Sequence, residues 1–329
     1  TCSLCGYTKT SAQTYTVSYN ANGGYNAPSL QTKVHGVTLT LSYVVPYRNN
    51  YEFVGWATNS NSSVASYYAG GSYTGNASVT LYAVYAANLY TIRYNANGGT
   101  GTMDSRDYFY DQELPLRKNT FTRVGYTFLG WNTDPDADKA IYEDEQKVSN
   151  LSATHGANVD LYAIWKPNDQ TSYKVEHYLE TLEGGYALAE TVLDYGTSDA
   201  EVTPAVNSYS GFTAPAAQTV TIKPDGMTVV RYDYTRMSYT VTFDTDGGSE
   251  IAPQAYKFEA SISAPAAPTK EGHTFAGWSP ALPATMPAKN LNVKATWTVN
   301  SYKLTWNFGG GTPSDSSYTQ GDVPFGTSI

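Results

Sequence analysis

Few residues in this chain have the type and spacing to do chemistry. Cys2 and Cys5 are its only cysteines, and Cys2-Ser3-Leu4-Cys5-Gly6 has the spacing of one half of a zinc ribbon or knuckle. A tetrahedral structural site needs two more ligands. Cys2 and Cys5 are therefore read as a metal half-site, and zinc would bind only if residues upstream supply the rest. A redox role would need a βαβ setting, which the surrounding pattern lacks. Asp134, Asp136, Asp138 and Glu145 fall at positions 1, 3, 5 and 12 of a calcium-loop spacing, with Ile141 at position 8. Lys139 stands at the sixth position, where such loops need Gly. The flanks read as strands rather than helices, so a solvated acidic loop is expected.

Catalytic constellations are missing from the pattern. His35, His155, His177 and His273 are far apart in the chain, and none stands with a nucleophile and an acidic orienter in a recognisable motif. Glu143 and Glu145 sit in an acidic loop, where burial would not tune them for acid–base work. Each Gly-Gly pair follows a strand pattern but leads to no helix start and no Lys-Ser/Thr, which rules out a phosphate loop. The expectation is a non-enzyme with no catalytic residue and no cofactor beyond that conditional zinc.

The elements that would carry any site are repeated. Tyr15-Thr16-Val17-Ser18-Tyr19-Asn20-Ala21-Asn22-Gly23-Gly24 returns 75 residues later from Tyr90 to Gly99, again from Tyr239 to Gly248, and in cut form from Tyr302. A second element, Tyr51-Glu52-Phe53-Val54-Gly55-Trp56, recurs at Tyr126 to Trp131 and His273 to Trp278. Its Trp lies 32, 32 and 30 residues after the second Gly of each pair. A third element closes each copy, ending at Tyr85, Trp165 and Trp297. Tyr15, Val17 and Tyr19 alternate with polar residues, the period-2 pattern of a sheet with one wet face. Asn-Gly-Gly or Asp-Gly-Gly then tolerates positive φ and predicts a turn. The Gly before each Trp predicts a bulge or a close backbone approach.

Composition agrees. Tyr, Phe and Trp number 30, 10 and 6 against 4 Met, a bias towards pleated, half-buried surfaces. Charged residues make up only 15% of the 329, with Ser, Thr, Asn and Gly filling polar positions, as suits a secreted β protein. A net charge of −9 disfavours nucleic acid. No apolar run is long enough to cross a bilayer, so no membrane insertion is expected. The chain opens on Thr1 and its last repeat is cut, so a longer parent is expected. A unit of this size buries only about 60% of its extended-chain surface. Each buried aromatic can contribute at most roughly 4–6 kcal/mol. Trp56, Trp131 and Trp278 are accordingly expected as core anchors rather than ligand platforms.

On these motifs the chain resembles the internalin B-repeat family, also called the Listeria–Bacteroides repeat. Residues 173–236 resemble instead the mucin-binding-protein (MucBP) repeat, through Tyr173-Lys174-Val175-Glu176-His177-Tyr178 and the closing Val230, Tyr232 and Tyr234. The division expected is a truncated Cys-rich end at 1–13, B-repeats at 14–87 and 88–168, a MucBP-like repeat at 169–236, a third B-repeat at 237–299 and a truncated fourth at 300–329. The resemblance implies a mainly β (α+β) class of small β-grasp modules, similar to ubiquitin, in an elongated rod. It implies an extracellular, cell-wall-associated stalk of a bacterial adhesin-like surface protein. The alternative it raises is a module binding mucin glycans or another host or cell-surface protein. A monomer is assumed. Links as short as residues 86–89 and 299–301 imply neighbours that touch.

Overall fold

The computed structural model describes residues 10–304 and 321–328. They form two compact units divided between Pro167 and Asn168. Every regular element among them is a strand, so the α part of the expected α+β class is not found there. The segments between strands explain this. Residues 58–71, for example, are rich in Ser, Asn and Gly, which favour turns over helix.

Four sheets share one topology. In the first, the strands Gln31–Val34, Thr14–Asn20, Val79–Ala87 and Tyr51–Ala57 lie side by side in that order. The first and last strands of the module are thus central, adjacent and parallel, with Val17 opposite Val79 and Tyr19 opposite Leu81. The second sheet repeats the order with Leu89–Asn95 and Ala157–Pro167 at its centre. In the third, Thr171–Glu180 and Thr228–Arg236 are the parallel pair, and in the fourth Ser238–Asp244 and Leu291–Val299. The segment without a Gly-Trp element therefore has the same strand order as the others. A last pair, Ser301–Lys303 with Asp322–Pro324, starts a further copy.

Each sheet has its own core. In the first module Val17, Leu41, Trp56, Tyr73, Leu81 and Ala83 pack together. In the second, Tyr90, Ile92, Tyr108, Leu116 and Trp131 do so. Trp56 and Trp131 are fully buried. Their indole N–H groups have no hydrogen-bond partner among the described residues. That omission costs about 1–3 kcal/mol, less than the roughly 4–6 kcal/mol upper bound for burying the ring. Trp278 differs: it is only partly buried, at the edge of the core of Val241, Phe243, Met286 and Val293.

The reason lies in what crosses the Gly-Trp pair. In the first two modules a returning segment bonds the Trp backbone from both sides: Trp56 N–H donates to Tyr67 O at 2.7 Å and Tyr67 N–H to Trp56 O at 3.0 Å, with Trp131 and Tyr142 matching at 2.8 and 3.0 Å. The strand bulges at Phe53/Gly55 and Phe128/Gly130, with φ of 155° at Gly55 and 137° at Gly130. A Cβ on Gly55 would come within 2.6 Å of the Tyr67 carbonyl, and one on Gly130 would collide with the Tyr142 carbonyl. The fourth module keeps the bulge but has a shorter loop without this crossing strand. A Cβ on Gly277 meets nothing within 4 Å, and Trp278 loses its cover.

The same glycine thus has two grades of necessity. Gly277→Ala is expected to cost only the backbone strain at φ 128°, about 1–3 kcal/mol. Gly130→Ala must also displace the crossing segment and is expected to exceed about 4 kcal/mol. Urea unfolding of the full chain, followed through amide resonances of each module, measures both.

Candidate functional site

The three sequence motifs meet at one point in each B-repeat. After the first strand, Asn22 and Gly23, Asn97 and Gly98, and Asp246 and Gly247 all take positive φ. This turns the chain so that the second glycine lies under the last aromatic of the closing strand. A Cβ on Gly99 would sit 2.8 Å from the Trp165 ring, and one on Gly248 2.6 Å from the Trp297 ring. The ring's polar atom then bonds the turn: Tyr85 hydroxyl to Ala21 O at 2.9 Å, Trp165 Nε1–H to Ala96 O at 2.8 Å, and Trp297 Nε1–H to Thr245 O at 3.2 Å. Phe53, Phe128 and Phe275 link this ring to the core Trp, with Phe128 5.5 Å from Trp165 and 5.0 Å from Trp131.

Consecutive modules within a unit are joined by a single residue. Asn88 N–H donates to Asn50 O of the module before, and Asn88 O accepts from Tyr110 N–H of the module after, both at 2.9 Å. Met237 bonds Gly211 O and Phe258 N–H in the same way, and Asn300 bonds Gly272 O and Phe325 N–H. Each joint sets an aromatic on the next module against a ring that opens the third strand of the previous one. Tyr110 lies 6.4 Å from Tyr51, Phe258 5.9 Å from Phe212, and Phe325 6.1 Å from His273. Charge adds to it. Tyr51 hydroxyl donates to Asp111 at 2.8 Å, Arg236 pairs with Glu259 at 2.7 Å, and Lys257 pairs with Glu180 at 2.5 Å.

The residues singled out for chemistry do not assemble. Cys2 and Cys5 lie outside the described residues. Asp134 and Asp136 are engaged in their own turn, where Asp136 N–H donates to the Asp134 carboxylate at 3.0 Å. No three His, Cys, Asp or Glu side chains among the described residues gather as a metal site. His177 is buried, with Nδ1 2.9 Å from Tyr234 hydroxyl, and packs among Tyr209, Tyr232 and Tyr234. His273 fills the joint just described, His35 pairs with Tyr15, and His155 Nδ1 accepts from Leu89 N–H. Desolvation, aided by Asp194, pushes the Tyr173 hydroxyl up to about 12. The exposed aromatics concentrate on the first module, where Tyr25, Tyr43, Tyr47 and Tyr68 face solvent and the Tyr25 ring lies tilted 5.4 Å from Tyr47. Sequence reasoning expected contact between neighbours but not the joint residues. The signal was an aromatic directly after the second strand of a module.

Glu180 makes one joint sensitive to acid. Its hydrogen bond to Lys257, then that from Arg236 N–H, hold its carboxyl below the usual range. A depressed carboxylate stabilises the joint above its unfolded pKa, and the contribution is lost as pH falls through the lower folded value. Backbone relaxation is expected to show residues 169–236 and 237–299 tumbling together at neutral pH and separately in acid. Glu180→Gln should loosen the joint at neutral pH and remove the acid step.

Residues 15–84, 90–164 and 239–296 each match the Listeria-Bacteroides repeat domain, together more than half of the chain. Over 305 residues the chain is 27% identical to a protein of Evansella cellulosilytica provisionally named a Gly-rich membrane protein, covering 86% of this chain and 32% of that one. It is 37% identical to Internalin H of Listeria monocytogenes over 212 residues, 61% of this chain and 32% of that protein. The chain thus spans about a third of the length of these relatives. Among solved structures, the Bacillus anthracis TIE protein superposes with a TM-score of 0.27 at 7% identity, covering 67% of this chain and 52% of that one. A type 2 repeat of the mucus binding protein MUB from Lactobacillus reuteri superposes at 0.15 and 9%, covering 46% and 100%. Superpositions this loose carry no conclusion. The three family matches fall on the same copies whose turn, Gly-Trp bulge and closing ring meet in space, and the chain belongs to the Listeria-Bacteroides repeat domain family.

Proposed function

We propose that this chain is a non-enzymatic spacer in a bacterial cell-surface protein, built from β-grasp-like modules in line that transmit tension. The observation that carries this is the parallel pairing of first and last strands in all four modules. The chain enters a module at one end of that pair and leaves at the other. A pull on the ends therefore loads the whole ladder in shear rather than unzipping it bond by bond. The one-residue joints at Asn88, Met237 and Asn300 support the reading, since each ties two modules by backbone bonds and an aromatic contact. Relatives named as membrane proteins and an internalin support a location outside the cell, at the surface.

A second reading has one observation in its favour. Tyr25, Tyr43, Tyr47 and Tyr68 of the first module are exposed, with Tyr25 and Tyr47 side by side, and offer rings on which sugars of a mucin glycan, or a host protein, could stack. Loss of glycan-array binding in the double variant Tyr25→Ser, Tyr47→Ser, with the fold kept, would support it. No binding by the parent chain would end it.

For the spacer, single-molecule pulling on the full chain is the test. Four separate unfolding steps are expected, each releasing roughly 20–25 nm at about 3.3–3.6 Å per extended residue. A single featureless extension at low force would overturn the reading.

A further inference from the structure

We propose that the second module binds an anionic carbohydrate, a sugar bearing a carboxylate or sulfate, in the groove rimmed by Arg106, Arg117 and Lys118. The groove is open, holds about 480 Å³ and lies beside the second strand of that module. Its volume falls in the range of small-ligand sites. Met103, partly buried against the module's core, gives it an apolar wall for the carbon face of a sugar ring, with the core residue Leu116 at its floor.

The three cations are unspent. Among the described residues none lies within ion-pair reach of a carboxylate, although the chain carries a net charge of −9. Two of them are already held in place. Arg106 Nη1 donates to Pro115 O at 3.1 Å and its guanidinium lies 5.6 Å from the Tyr108 ring. Arg117 Nη2 donates to Ser105 O at 3.3 Å, and its backbone N–H donates to Tyr94 hydroxyl at 2.9 Å. Each guanidinium keeps further N–H groups free, and less side-chain freedom is left to lose on binding.

The fold does not need this charge. Register places Gln31 of the first module and Gln254 of the fourth where Arg106 stands, opposite Val17, Val241 and Ile92. Gln31 holds the equivalent backbone carbonyl, Thr40 O, at 3.1 Å without a charge. Ser42 takes the place of Arg117, its N–H donating to Tyr19 hydroxyl at 3.1 Å, and Tyr43 follows where Lys118 does. Three neutral residues in one copy are three cations in the next on the same frame.

Charge also selects the class of ligand. Asp104 and Glu145 line the same groove. They would repel a bare inorganic anion, but they accept hydrogen bonds from hydroxyls. An acidic sugar carries both kinds of group. The inference goes beyond the spacer reading and survives its failure, because the groove lies inside one module.

The test titrates the full chain with glucuronate and with N-acetylglucosamine 6-sulfate, against glucose, N-acetylglucosamine and sodium sulfate, following amide resonances. The acidic sugars are expected to shift Arg106, Leu116, Arg117 and Lys118 with millimolar affinity that weakens as salt rises. The neutral sugars and sulfate are expected to bind at least about tenfold more weakly. The variant Arg106→Gln, Arg117→Ser, Lys118→Tyr installs the first module's residues, so it should fold and lose the binding. Equal binding of sulfate or of neutral sugars, retained binding in the variant, or no shift at all would overturn the proposal.

Discussion

A ring laid on a glycine holds each B-repeat together. Tyr85, Trp165 and Trp297, each two residues before the end of the last strand, cover Gly24, Gly99 and Gly248 at the close of the first turn. Their hydroxyl or indole group bonds the turn's own carbonyl. The contact fixes the parallel pair at one end, and through Phe53, Phe128 or Phe275 it reaches the Trp in the Gly-Trp bulge. A small module has too little surface to bury for a diffuse core to suffice. Concentrating burial in a few linked rings meets that limit.

The variants of the module show which parts are dispensable. The fourth keeps ring, turn and bulge but drops the segment that crosses the Trp, and Trp278 is partly bared. The third has neither Gly-Trp nor the Gly-ring contact, yet reaches the same strand order. It places His177 among Tyr209, Tyr232 and Tyr234, with a hydrogen bond to Tyr234. The strand order therefore depends on the central parallel pair, and each module's rings set how well that pair is covered.

Much of this was legible because its causes are local. Alternation at Tyr15, Val17 and Tyr19 marks a strand wherever it occurs, and Asn22-Gly23 marks a turn by its tolerance of positive φ. The bulge at Gly55 was legible too, since a glycine inside a strand pattern needs a reason. What stayed hidden depends on distant partners. That Trp278 would be only partly buried follows from a loop length, not from its own motif. The α part of the expected α+β class gave way to loops among the described residues because Ser, Asn and Gly stretches favour turns. The joint at Asn88 draws on Asn50 and Tyr110, and the groove on Arg106 and Arg117, residues that only the fold brings together. Cys2 and Cys5 had the clearest chemical spacing, and they fall outside the described residues.

Solution NMR of the glycine-ring contact tests the account at its root. Ring currents should shift the α-protons of Gly99 and Gly248 well away from their values in an unfolded chain. The indole N–H of Trp165, partly buried and bonded to Ala96 O, should exchange more slowly with solvent than a free indole. Unshifted glycines together with a freely exchanging Trp165 indole would contradict it, for the turn would then have nothing to rest on.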